Sequence, residues 1–276
     1  MSSLRCKRCK SVLPENLFRC KGCGTWNLSQ DTGEVAPIRP ITAYRDGKPK
    51  RPRFASQHWS AAAFGGGIVP GSTLMIGGEA GAGKSTLMLQ LIEAANQRAL
   101  YWPTEEVGDV GGEGILERCE RMAPDALGLL HLVDSPFEWP IELNPSLREY
   151  PVQVFDSLSN LQGIRTDEQP DVINAFVTHC AAYGYAMIFL MHVNKDEDFA
   201  GLEKLKHLVG CTAILRCSEK KGSERRNLEV IKNRFGPGHS EVDLVMTAQG
   251  LVPTQEQVKA WEKERAIREA NKAERK

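Results

Sequence analysis

No run of the sequence approaches the roughly 20 consecutive apolar residues that a membrane-spanning helix needs, so a helical membrane protein is excluded. The N-terminus, MSSLRCKRCK, lacks the apolar core of a secretory signal, and a cytoplasmic protein with no membrane partner is expected. Net charge is missing too, since 35 basic residues balance 35 acidic ones. The balance is uneven along the chain: residues 1–60 hold 12 Lys and Arg against 4 Asp and Glu, leaving 23 against 31 for the remainder. A basic arm suits contact with phosphates, those of nucleic acid included, and equally suits a merely solvated segment. At 41% hydrophobic and 25% charged the composition is that of an ordinary globular chain, and 276 residues suffice for one large domain and a small module.

Eight cysteines fall into two kinds. Cys119, Cys180, Cys211 and Cys217 are scattered through apolar or helical stretches and read as plain thiols. Cys6-x-x-Cys9, ten residues, then Cys20-x-x-Cys23 form two knuckles that can aim four thiolates at one ion. The pattern predicts a zinc module over residues 1–30 whose folding and metal binding are one event, since it is too small to hold a core. Trp26 is expected against the metal knuckle. Residues 31–56 are polar, Pro-rich and basic at Lys48, Lys50, Arg51 and Arg53, the composition of a linker.

From about residue 57 apolar runs alternate with helical stretches, which predicts an α/β domain with a mostly parallel sheet over residues 57–253. Its central motif is Gly77 to Thr86, GGEAGAGKST, which fits G-x-x-x-x-G-K-[ST] with Gly78, Gly83, Lys84 and Ser85 in place. An apolar run precedes it and strong helix formers follow, so it sits at a strand-to-helix turn. There the backbone of Gly78, Glu79, Ala80, Gly81, Ala82, Gly83, Lys84, Ser85 and Thr86 can cradle phosphates at a helix N-terminus. Lys84 would reach the β- and γ-phosphates of ATP and the Ser85 hydroxyl would ligate Mg²⁺.

Further strands supply the rest of a hydrolytic site. Ala99 to Trp102 reads as a strand leading to Glu105 and Glu106, either of which could orient and deprotonate the attacking water. Val152 to Phe155 is a strand ending in Asp156, a carboxylate suited to the Mg²⁺ water shell. Ala186 to Met191 is a buried central strand ending in His192, with Asn194 and Lys195 beyond. Lys232 and Arg234, after the strand from Asn227 to Lys232, can face a phosphate or form an ordinary exposed turn. Residues 254–276 read as a charged helix, solvated for most of its circumference.

Several of these segments together resemble the bacterial RadA (Sms) family of RecA-like ATPases. LRCKRCKSVLPENLFRCKGCGTWN resembles that family's zinc finger, GGGIVPGSTLMIGGEAGAGKSTLMLQ its phosphate-loop region, and ALYWPTEEV its second-strand segment. LMHVNK is similar to the family's G-H-V-T-K stretch, with Asn194 where the family has threonine, and VIKNRFG carries its K-N-R-F-G signature. The resemblance runs from Leu4 to about Val252 and implies a RecA-like fold. It implies Glu105 as catalytic base, Asp156 as the Mg²⁺-supporting carboxylate and His192 as a γ-phosphate sensor. It also implies that Lys232 and Arg234 reach a neighbour's nucleotide in a hexameric ring, an arginine supplied in trans.

The function so implied is a DNA-stimulated ATPase, a ring-forming motor on single-stranded or branched DNA in recombination and repair, with a RecA-type recombinase as a partner. Full-length members carry a C-terminal domain resembling the Lon protease fold, which this sequence does not include. Two alternatives stand beside this reading. One is a DnaB-like replicative helicase or loader; the other is an adaptor that uses ATP only as a conformational switch.

Overall fold

The computed structural model describes residues 6, 8–12, 20, 22–24, 58–104, 109–133, 149–158, 168–193, 205–218, 220, 222–236 and 238–274. Nine strands form one sheet in the order β3-β2-β4-β5-β1-β6-β7-β8-β9. In chain order these are β1 (Thr73–Gly78), β2 (Ala99–Pro103), β3 (Leu130–Leu132), β4 (Val152–Asp156), β5 (Ala186–His192), β6 (Cys211–Cys217), β7 (Arg225–Asn233), β8 (Ser240–Thr247) and β9 (Gly250–Pro253). From β3 to β6 every neighbour pair is parallel; from β6 to β9 every pair is antiparallel.

Why the parallel half reads as unbroken apolar runs follows from its two covered faces. Side chains alternate across a strand, so Leu74, Ile76, Val154, Ile188 and Leu190 pack on one face with Leu87, Leu91 and Ile92 of α2 (Lys84–Ala95). Met75, Phe155, Met187 and Phe189 pack on the other with Val172, Ile173 and Phe176 of α4 (Gln169–Tyr183). There Phe155, Phe176 and Phe189 form a mutually contacting trio with ring centroids 5.1–5.9 Å apart. Helices α1 (Trp59–Ala63) and α3 (Asp109–Met122) complete the α2 side, and α5 (Gln255–Glu274) follows the last strand.

Strands β8 and β9 extend the domain beyond the elements read from the sequence. Their signal is the weaker alternating kind: in SEVDLVMT only Val242 and Leu244 are fully buried, and the intervening positions face outward. Gln90, a polar residue on the buried face of α2, ties this end to the helix. Its side chain donates to Leu251 O at 3.1 Å and accepts from Leu251 N at 3.1 Å, standing in for a missing strand neighbour. Helix α5 matches its expected character, with Trp261 half-buried and Val258 and Ile267 exposed. Among the described residues no helix is long and apolar enough to cross a membrane.

Candidate nucleotide-binding site

The phosphate loop joins the carboxyl end of β1 to the start of α2, and its glycines are required by its shape. Gly81 and Gly83 have φ of 72° and 102°, a left-handed pair that turns successive N–H groups into one concavity. At Gly78 a Cβ would stand 2.6 Å from Leu215 O on β6, closer than any side chain tolerates. Helix α2 begins with no side-chain cap on its first turn, and a phosphate is the natural partner for such an end.

Lys84 is 5% exposed and folds back over this loop. Its ammonium donates to Gly78 O and Glu79 O, each at 3.0 Å, and lies 3.3 Å from His192 Nδ1. The strand register explains the last contact, because Gly78 pairs with His192 across β1 and β5. Ser85 Oγ donates to Asp156 Oδ2 at 2.6 Å, and the Tyr101 hydroxyl donates to the same oxygen. Asp156 therefore reaches the loop although β5 separates its strand from β1. A hydroxyl and a carboxylate are hard oxygen donors, so Ser85 and Asp156 fit Mg²⁺.

Thr104 locks the ends of β2 and β4 together: its N–H donates to Asp156 O and its hydroxyl to Ser157 O, each at 2.7 Å. Glu105 follows it in sequence, but Glu105 and Glu106 lie outside the described residues, as do Asn194 and Lys195. Sequence reasoning missed two contributors here. Tyr101 hid in an apolar strand, and Arg226 hid in a charged hairpin tip although its Nε donates to Ala82 O of the phosphate loop at 3.2 Å.

Lys232 and Arg234 are not at this site. Arg234 N donates to Gly210 O and Gly210 N to Thr73 O, which puts the pair beside the first residue of β1. Five residues of strand separate that edge from Gly78, roughly 16 Å at the usual rise per residue. Within one chain neither cation can reach the phosphate loop. Lys232 spends its three protons on Lys206 O, His207 O and Val209 O at 2.5, 3.3 and 2.8 Å. Burial, with Arg234 adding to it, lowers its pKa. Arg234 is exposed and gives one bond to His207 O at 3.2 Å. The Phe235 ring covers Gly210, where a Cβ would fall 2.4 Å from Phe235 Cε2.

The Cys₄ cluster forms as its spacing suggests. The Sγ atoms of Cys6, Cys9, Cys20 and Cys23 lie within 4.8 Å of one another. Cys6–Cys23 and Cys9–Cys20 are each 3.5 Å apart, too long for disulfides and close to the ~3.8 Å edge of a tetrahedral zinc–thiolate site. Matching turns shape the knuckles: Lys10 N donates to Cys6 O at 2.9 Å and Gly24 N to Cys20 O at 2.8 Å. Ser11, unnoticed in the sequence, lies 2.7 Å from Cys9 Sγ and 3.3 Å from Cys20 Sγ. Its hydroxyl, helped by the Cys23 N–H, lowers the Cys20 thiol to about 6. A depressed pKa favours the thiolate above that value and the thiol below it. Because every ligand must be deprotonated to bind, zinc is expected to be retained at pH 8 and lost progressively on acidification, which a colorimetric chelator at stepped pH would measure. Retention independent of pH down to strong acid would contradict this.

Six parallel-paired strands, a β1-to-α2 phosphate loop and a carboxylate two strands away define a RecA-like fold with a candidate nucleotide site. Solved structures agree on the fold. A KaiC-like protein from Pyrococcus horikoshii is similar with a TM-score of 0.58 at 18% identity, covering 75% of this chain and 99% of that one. The RadB recombinase is similar with a TM-score of 0.53 at 17% identity, over 73% of this chain and 100% of that one. More particularly, the chain is homologous to bacterial proteins named DNA repair protein RadA. It is 34% identical to the Haemophilus influenzae protein and 28% identical to that of Escherichia coli, in each case over 89% of this chain. The chain spans 58% of the length of those two relatives. No protein-family model matches the sequence.

Proposed function

We propose that the chain is an Mg²⁺-dependent ATP hydrolase whose turnover is coupled to DNA in recombination and repair. One observation carries the reading: Lys84 and Ser85, Asp156, and His192 come from three separate segments and converge on one glycine-shaped loop. In this reading the loop N–H groups and Lys84 hold the β- and γ-phosphates, exchanging the carbonyls of Gly78 and Glu79 for phosphate oxygens. Ser85 and Asp156 would hold Mg²⁺, which when bound neutralises charge developing on the phosphates. Glu105, one residue beyond the locked Thr104, serves as the base that takes the proton of the attacking water. His192, already beside Lys84 at the end of β5, responds to the γ-phosphate and passes its presence to the residues that follow the strand.

The RadA relatives, named as DNA repair proteins, are the support for DNA repair as the setting; single-stranded or branched DNA as the partner is part of the proposal. A hexameric ring, movement along DNA, and a RecA-type recombinase as collaborator belong to the same proposal. So do the division of the chain at residues 30, 56 and 253 and the cytoplasmic location.

The test is the rate of ATP hydrolysis with and without single-stranded DNA in the presence of Mg²⁺. Hydrolysis raised severalfold by DNA is the expected result. Tight nucleotide binding with no DNA-dependent turnover would replace the proposal with a nucleotide-switched adaptor. Unwinding of a forked duplex in the absence of any recombinase would replace it with a replicative helicase.

A further inference from the structure

We propose that Tyr101 is a positioning residue for the metal-supporting carboxylate: its hydroxyl and that of Ser85 together fix one oxygen of Asp156 and leave the other turned to the metal's water shell. The inference rests on the ATP hydrolase reading and adds a residue to it that no sequence motif marks.

The contact is built by strand register. Tyr101 pairs with Val154 and Pro103 with Asp156 across β2 and β4, so Tyr101 and Asp156 are diagonal neighbours two residues apart on one face. That face is the one α2 covers, since Tyr101 and Val154 both pack in the cluster containing Leu87, Leu91 and Ile92. Ser85, in the first turn of α2, comes down on the same carboxylate from above the sheet. Asp156 Oδ2 thus takes donors from a helix and from a strand.

The two donors are not equivalent. The Ser85 hydroxyl, in the first turn of α2, can turn about its own Cα–Cβ and Cβ–Oγ bonds, and alone it would follow the carboxylate wherever that turned. Tyr101 is 2% exposed, its ring is held in the core, and its oxygen can move only with the ring. It therefore supplies the fixed point. With the phenol in place Asp156 cannot rotate about its Cβ–Cγ bond without breaking a part-buried hydrogen bond. The Ser85 proton also stays directed at Asp156, which keeps the serine lone pairs outward, where a cation would sit. Ligand-orienting hydrogen bonds of this kind are a general requirement of metal sites. A buried phenol that simply satisfied its own donor on the nearest acceptor would affect stability alone.

The test is Tyr101→Phe, which removes one oxygen and no packing volume, with thermal melting to verify the fold. Binding of Mn²⁺ to the protein in complex with a non-hydrolysable ATP analogue is followed by electron paramagnetic resonance of the free ion. The Mn²⁺ dissociation constant is expected to rise about 10-fold or more, while analogue affinity in EDTA stays at the wild-type value. In an Asp156→Ala background the same Tyr101→Phe change is expected to add nothing, because its route to the metal is gone. Unchanged Mn²⁺ affinity in Tyr101→Phe, alongside loss of affinity in Asp156→Ala, would overturn the inference and leave the nucleotide site standing. Undiminished Mn²⁺ affinity in Asp156→Ala would remove the metal-site reading itself and this inference with it.

Discussion

Replacing Lys84 with alanine is expected to lower ATP turnover by at least about 10²–10³-fold, the usual cost of deleting one preorganised group aimed at developing charge. The side chain is 5% exposed and its ammonium is held by two loop carbonyls at 3.0 Å, so it is positioned before any nucleotide arrives. Arg226 donates to the same loop at the Ala82 carbonyl. The measurement is steady-state hydrolysis at saturating ATP, with a melting curve to separate chemistry from unfolding. A variant that melts like wild type and still hydrolyses at the wild-type rate would sink the site assignment.

The second large effect is expected at Arg234. Alanine there should reduce DNA-stimulated hydrolysis by about 10³-fold, the low end for an arginine supplied to a transferring phosphoryl group. Lys232→Ala should act differently, because its ammonium closes three carbonyls of the turn at residues 206–209. That change is expected to cost stability first and activity as a consequence. Mixing Arg234→Ala with Lys84→Ala protein separates the two models of Arg234. Service to a neighbour predicts partial recovery, since some interfaces then unite an intact loop with an intact arginine. A purely local role in the Lys232–Gly236 turn predicts no recovery at all.

The sequence made the parallel half of the fold legible because strands buried on both faces leave unbroken apolar runs, as in AMIFLM before His192. The antiparallel end was harder: β8 buries only Val242 and Leu244 fully, β9 is four residues long, and Gln90, which clips β9 to α2, looks like any polar residue in a helix. Glycine spacing located the phosphate loop, since only that residue accepts φ of 72° and 102° or the 2.6 Å approach of Leu215 O. The contacts of Tyr101, Arg226 and Ser11 were invisible for a different reason. Each depends on where another segment arrives in space, and a tyrosine in a strand or a serine beside a cysteine announces nothing by itself. The opposite failing affects the K-N-R-F-G segment. Its composition suggests a phosphate partner, yet it lies at the opposite end of β1 from the phosphate loop of its own chain.

That separation constrains how many complete sites an assembly can contain. A subunit that lends Arg234 from the β1-start edge does so at one end, and it borrows at the other end, about a strand's length away. A twofold pair could exchange the two ends mutually and complete both sites, whereas a head-to-tail contact leaves each copy lending at one end and borrowing at the other. A row of such copies always has one loop at its terminus with no lender. Only closure of the row removes that defect, and catalytic output per subunit should then rise stepwise at the size where the ends meet.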